Sequence, residues 1–248
     1  MFLSNLKNLI YKPFNLLYLG FLVFLGLSLS TWFLTLFKGL LVDSIGLPQE
    51  YFWGVMLLSL IGSYVNIPLF IIESDKPVPK PEFIHSFGVT YEIPQPETSN
   101  KQTLVSINLG GAIIPVLISL YLLVFSIPTY SENLVWTYIK TIIVLVIVTL
   151  NVYQSAQIVE GVGITTPAWG PPTMTVFVTL LVNHFSPLSC PVQIAYIGGT
   201  MGALIGADFM NLGRITGIGP VVSIGGAGTF DGVYLTGLSS VLLLLFIS

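Results

Sequence analysis

Residues 134–156 read LVWTYIKTIIVLVIVTLNVYQSA, and the only charge among them is Lys140. A helix rises about 1.5 Å per residue, so about 20 apolar residues cross the roughly 30 Å hydrocarbon core of a bilayer. A run this long and this apolar is at home in lipid or deep inside a large protein. Composition decides between them, because charged residues make up 8% of the chain against roughly 25% in soluble domains. The mean hydropathy is +0.89. The surface therefore meets lipid, and the chain reads as a single multi-spanning membrane domain, residues 1–248, with the bilayer as its main partner.

Seven spans follow from hydropathy, at about 14–37, 51–72, 104–128, 134–156, 171–186, 190–210 and 231–247. The expected fold is all-α, a bundle of about seven transmembrane helices. The first run is too long for a cleaved signal core and lacks a small-residue cleavage site. With the N-terminus in the cytoplasm, Lys7, Lys12, Lys76, Lys80, Lys101 and Arg214 all fall inside, and Lys38 alone falls outside. That bias orients the chain with its N-terminus cytoplasmic and its C-terminus outside the cell membrane.

One polar segment, residues 73–102, is rich in proline and cannot form a long helix. Within it Phe83, His85, Phe87, Val89, Tyr91 and Ile93 alternate with smaller or more polar residues, the period of a half-buried strand. The expectation is a short cytoplasmic β-hairpin, with TLVSIN at 103–108 available to pair with it.

Several chemistries lose their footing early. The single cysteine, Cys190, excludes an internal disulfide and a cysteine-rich metal site. His85 and His184 lie far apart, which leaves a histidine metal cluster without support. The GGAG run lacks the strand and the Lys-Ser or Lys-Thr ending of a phosphate-binding loop, so no cofactor is implied. A net charge of −3 offers no basis for binding nucleic acid.

Two carboxylates remain against the spans. Asp208 ends the sixth, in GTMGALIGADFMNLGRI, and Asp231 opens the seventh, in GAGTFDGVYLTG. Antiparallel neighbours would bring both to similar depth just inside the cytoplasmic boundary, where ionisable groups are costly and are functional candidates by default. Two carboxylates a few ångströms apart share a proton, so one can activate water while the other protonates a carbonyl oxygen. The competing reading is structural: Asp231 as a helix N-cap and Asp208 paired with Arg214. Around them, Gly198, Gly202 and Gly206 form one row of small residues and Ala195, Gly199, Ala203 and Ala207 another, the spacing of close helix packing in lipid. Pro167, Ala168 and Trp169, in a proline-rich segment on the same face, together with Gly226, Gly228 and Asn211, are candidates to line a substrate path. Asn66, Asn108 and Asn211 are expected chiefly as interhelical hydrogen-bonding groups.

The blocks GSYVNIPL, SINLGGAIIPVLISLYLL, GVGITTPAWGPP, IGADFMNLGRI and SIGGAGTFDGVYLTG resemble an uncharacterised, largely archaeal family of membrane proteins, domain-of-unknown-function family 1614. That resemblance implies a shared fold and no particular activity. A second likeness is to intramembrane aspartyl proteases of the presenilin and signal-peptide-peptidase type, which carry one Asp in a span, a second after a Gly-x-Gly in the next, and a Pro-Ala-Leu element. Here Asp208, then Gly226 and Gly228 ahead of Asp231, and Pro167-Ala168-Trp169 are similar in kind. Thr229 and Phe230 separate the second glycine from the aspartate, and Trp replaces Leu. The Pro-Ala element comes first instead of last, and seven spans replace nine. Three functions stay open: an aspartyl-type hydrolase of membrane peptides, a transporter or channel-like protein whose carboxylates bind protons or cations, and a non-catalytic subunit of a membrane complex.

The charge bias carries a direct test. A tag at the N-terminus and a probe on residues 73–102 should both be reached only from the cytoplasmic side. Labelling of that loop from outside intact cells would refute the orientation.

Overall fold

The computed structural model describes residues 16–86, 89–159, 163–214, 221–226 and 232–247, with backbone alone at 16–18, 74–101, 159 and 163. Helix α1 (Leu16–Lys38) runs on through a π turn, Gly39–Ser44, and α2 is Phe52–Gly62. A π turn at Leu109–Ile113 opens α3 (Ile114–Tyr121), and a further one, Leu122–Ser126, leads into α4 (Ile127–Tyr130). Then come α5 (Leu134–Ser155), α6 (Gly170–Phe185), α7 (Pro191–Ala203), which continues through a π turn (Leu204–Asp208) and a 3₁₀ turn (Phe209–Arg214), and α8 (Gly232–Ile247). Leu19–Ser44, Leu109–Tyr130 and Leu134–Ser155 are each long and apolar enough to cross a membrane, and α8 is a shorter apolar helix. The fold is the expected helical membrane bundle with a β appendage.

Two spans read from hydropathy need correction. The run 51–72 is helical only to Gly62 and turns into strand β1 at Asn66; the run 104–128 begins as strand, with helix from Leu109. Hydropathy counts apolar side chains and is blind to backbone, so NIPLFII and TLVSI were absorbed into neighbouring helices. The hairpin is also far longer than expected. β1 (Asn66–Ser86) and β2 (Val89–Asn108) run antiparallel, and at about 3.3 Å per residue each spans roughly 65 Å. The alternating stretch 83–93 is two strands facing each other, with Phe83 opposite Glu92 and Ser86 opposite Val89, while Phe87 and Gly88 lie outside the described residues. TLVSIN pairs with the start of β1 instead: Ile72 faces Thr103 and Asn66 faces Asn108. β5 (Val221–Ile224) joins the far side of β2 in parallel, Leu104 opposite Val221 and Ile107 opposite Ile224. A small second hairpin, β3 (Gln157–Val159) and β4 (Gly163–Thr165), precedes α6.

The sheet is tied to the bundle by asparagines. Asn108 is fully buried; its Nδ2 donates to the Ser63 carbonyl at 2.8 Å and to Asn66 Oδ1 at 3.0 Å, and its Oδ1 accepts from Gly111 N–H at 2.7 Å. Asn66 Oδ1 also accepts from Ser223 Oγ of β5 at 2.7 Å. These are two of the amides read from the sequence as hydrogen-bonding groups, Asn108 buried and Asn66 exposed, and they bind sheet to helix.

α7 is the axis of the bundle. A Cβ on Gly198 would lie 2.7 Å from Val144 Cγ1, one on Gly202 2.7 Å from Val148 Cγ1, and one on Gly206 2.5 Å from the Thr149 carbonyl. The first glycine row therefore seats α5 at backbone contact. The second row meets other helices: a Cβ on Gly199 would lie 2.8 Å from Ser240 Oγ of α8, and Ala195 packs with Val176 and Leu244. Lipid tails are as apolar as leucine, so burial alone does little for these helices and close van der Waals packing must hold them. Lys140, mid-sequence in α5's apolar run, extends its ammonium to the Pro187 carbonyl at 2.8 Å, reaching the loop after α6 and leaving only its aliphatic stem along the helix.

α1 behaves differently. From Leu19 to Phe33 its large apolar side chains are exposed, Phe24 at 68% and Leu27 at 65%, and it joins the core only near Phe37 and Leu41. The two kinds of glycine give a paired test. Gly206→Ala should lower stability by about 1–3 kcal/mol through overpacking against α5. Gly26→Ala, where a Cβ meets nothing within 4 Å, should be neutral or raise stability by up to about 1 kcal/mol. Thermal unfolding in detergent, with both variants side by side, reads the difference.

Candidate functional site

Asp208 closes the π turn at the foot of α7. On an α-helix, residues four apart drift about 40° per step at 3.6 residues per turn, so Thr200, Leu204 and Asp208 would spiral away from one another. The π turn takes an additional residue into its ring and turns the chain back against that drift. Asp208 thus stays near the helix face that carries Thr200. Its Oδ2 accepts a hydrogen bond from Gly225 N–H at 2.8 Å.

Gly225 is held from the other side. It follows directly on β5 and has φ +77°, and Gly226 has φ +78°, a conformation L side chains rarely adopt. A Cβ on Gly225 would collide with Ala112, in the π turn that opens α3. Two π turns, one glycine and one carboxylate therefore meet at a point. Beneath it Val105, Ala112, Ala203, Leu204, Ile224 and Val233 form one buried cluster, which draws together β2, β5, the foot of α7 and the start of α8.

The remaining candidates fall out unevenly. Asn211 is fully buried, and its Nδ2 donates to the Gly206 and Ala207 carbonyls at 3.0 and 2.9 Å. Its Oδ1 accepts from Arg214 Nη1 at 2.8 Å. The amide caps the helix foot, and the Arg214 guanidinium turns to Asn211. Pro167, Ala168 and Trp169 are all exposed at the entrance to α6, Trp169 at 66%, and Gly170 N–H donates to the Pro167 carbonyl at 3.1 Å. β4, just before them, touches the π turn of Asp208, so this segment leaves from the same end of the bundle. Gly226 sits in the turn beside Asp208. Asp231 and Gly228 lie outside the described residues. The register between α7 and α8 can be followed on the described residues of α8, which begins at Gly232. A Cβ on Gly237 would meet Thr200, and one on Gly199 would meet Ser240 and Thr236. Continued by the same antiparallel count, Gly232 is level with about Ile205.

Other chemistry finds little purchase. Among the described residues no cluster of three His, Cys, Asp or Glu could hold a metal. Cys190 is 1% exposed and stands at the opposite end of α7 from Asp208, without the access that a reactive thiolate requires.

A family model for proteins of unknown function, DUF1614, matches residues 60–243. The chain belongs to this family. No curated protein and no solved structure matches it. The matched region opens at the end of α2 and takes in the hairpin, the asparagine tie, both π turns at the site and α8 as far as Leu243.

Sequence reasoning found Asp208 and missed what holds it. Glycine pairs such as Gly225-Gly226 signal turns with positive φ, so that much was available. The π turns had no comparable signal. Gly225→Ala should cost about 1–3 kcal/mol from strain at positive φ, with added collision against Ala112, and should loosen the Asp208 carboxylate. Thermal unfolding together with proteolysis near residue 225 would register both effects, and an Ala variant as stable and protected as the wild type would contradict this geometry.

Proposed function

We propose that this protein is an intramembrane hydrolase of the aspartyl type, acting on membrane peptides, with Asp208 and Asp231 as its paired carboxylates. The observation that carries the reading is the clamp on Asp208. A backbone N–H directly after β5 holds the carboxylate at the foot of α7, and α8, which packs on α7, begins at Gly232, the residue that follows Asp231 in sequence. In the reaction the ionised carboxylate takes a proton from water, the water oxygen adds to the peptide carbonyl carbon, and the other carboxyl, which carries the proton shared by the pair, protonates the carbonyl oxygen. Collapse of the tetrahedral species breaks the C–N bond: the first carboxyl passes the proton it took from water to the leaving nitrogen, and the second recovers a proton from a hydroxyl of the diol as the carboxylic acid product forms.

The sheet adds a way to present the substrate. β5 stands at one end of the strand order β1-β2-β5, and the residue after it is the one that holds Asp208. An extended peptide that adds to such an edge gains main-chain hydrogen bonds and brings its carbonyls alongside the carboxylate. The Pro167–Trp169 segment at the same end would border that approach. In this reading the site end faces the cytoplasm, as the distribution of Lys and Arg favours.

Purified protein in nanodiscs, offered single-span peptides with a fluorogenic bond near the membrane boundary, tests the proposal. Asp208→Asn and Asp231→Asn should each lower cleavage by roughly 10²–10⁴-fold, the scale of general acid–base catalysis. The double variant should be no worse than either single one, as for residues acting as a unit. In Asp208→Asn the side-chain amide still offers an oxygen to Gly225 N–H, so thermal stability should be kept. Cleavage that persists in both variants sinks the reading.

A further inference from the structure

A third face of α7 looks onto α8, which in turn meets Ser59 of α2 through Tyr234. Tyr196 and Thr200 stand one turn apart on it and both are fully buried. Opposite them α8 carries Gly237, where a Cβ would collide with Thr200 Oγ1 and lie 3.2 Å from the Tyr196 ring. Glycine at that position therefore makes room for a hydroxyl and a phenol. Tyr234, three residues before Gly237 and also fully buried, lies within electrostatic reach of Tyr196 and beside Ser59 of α2. Its ring meets Phe37 edge-on at 6.3 Å, which closes the cluster toward α1.

The hydroxyls are poorly served by one another. Among the described residues, Ser59 Oγ, Tyr196 OH and Thr200 Oγ1 are buried with no hydrogen-bond partner. Tyr196 lies against Thr200 and Tyr234 against Ser59, each pair close enough to feel the other's hydroxyl, yet Ser59 Oγ, Tyr196 OH and Thr200 Oγ1 do not reach the distance and angle of a formed hydrogen bond. A buried hydroxyl left unpaired bears the full desolvation of its polar group, and inside a bilayer no bulk water relieves it. Phe, Val and Ala would fill the same space without that penalty. Each hydroxyl offers one donor and an acceptor, and a buried water typically makes about three hydrogen bonds to groups that would otherwise go unsatisfied.

We propose that Ser59, Tyr196, Thr200 and Tyr234 form an internal water-binding site at the junction of α2, α7 and α8. Bridging water gives Ser59, Tyr196 and Thr200 the partner they lack and joins three helices through one polar node. Thr200 precedes Asp208 by eight residues, about 12 Å along the helix, so the node sits on the same face as the carboxylate and deeper in the bundle. The inference stands apart from the hydrolase reading, since it requires no chemistry at Asp208.

X-ray radiolytic footprinting of the protein in nanodiscs tests it, because bound water is the source of the radicals that oxidise neighbouring side chains. Tyr196 and Tyr234 should be oxidised at rates approaching that of exposed Tyr64, while Phe52, similarly buried among apolar groups, stays silent. The double substitution Tyr196→Phe with Thr200→Val removes two hydroxyls at nearly constant shape. It should bring Tyr234 oxidation down to the level of Phe52 and lower the thermal midpoint. Silence at both tyrosines in the wild-type protein overturns the site, and that measurement stands even where the double variant does not fold. Unchanged oxidation of Tyr234 in the folded variant, or a raised midpoint, overturns it equally.

Discussion

The side-chain amide of Asn108 is the joint on which this architecture turns. It is the last residue of β2 and the cap of the π turn that opens α3, so the chain changes from strand to helix at a single buried residue. Its amide reaches the end of α2 through the Ser63 carbonyl and the start of β1 through Asn66, while Asn66 holds Ser223 of β5. A helix end in a low-dielectric setting leaves backbone N–H groups that must find partners, and here one amide meets that need and fixes the sheet in the same act. β5 is placed by this joint, Gly225 by β5, and the Asp208 carboxylate by Gly225. Loss of the amide would therefore reach the site through three steps without touching it.

Much of this was legible in the residues, for reasons that differ by element. Helices α5 to α8 begin and end within a residue or two of the spans read from hydropathy, save that the sixth rod runs on to Arg214. There a polar or proline-containing break coincides with the end of the apolar run. The small-residue rows on α7 announced close packing, and the glycines do touch α5 and α8. The failures come where apolar character and helical backbone part company. Residues 66–72 and 103–107 are as apolar as a span, yet they are strands, because Pro68 and a dense run of β-branched residues favour extended backbone. The hairpin was recognised from its alternation but cut too short, since its apolar base was assigned to the bundle.

The candidate site was legible as chemistry and illegible as geometry. A carboxylate beside an apolar helix draws attention on electrostatic grounds alone. What orients it is a main-chain N–H, which no side-chain pattern reports, and a π turn, which differs from an α turn by one residue. The buried hydroxyls were overlooked for a related reason. Tyr, Ser and Thr are ordinary constituents of apolar helices, and only the packing reveals that several of them converge.

The solitary outer part of α1 has a consequence of a different kind. A helix that interlocks with its neighbours is constrained residue by residue, since each side chain must fit a facing notch. From Leu19 to Phe33 the large apolar side chains of α1 are exposed among the described residues, and lipid accepts any sufficiently apolar surface. Its role can be met by a great many different sequences of similar length and hydropathy. Substitution should thus accumulate freely in α1, and the family match, which takes up the chain only from residue 60, begins well beyond it. On this packing α1 would serve as a tether whose spelling is free, attached to a bundle whose spelling is not.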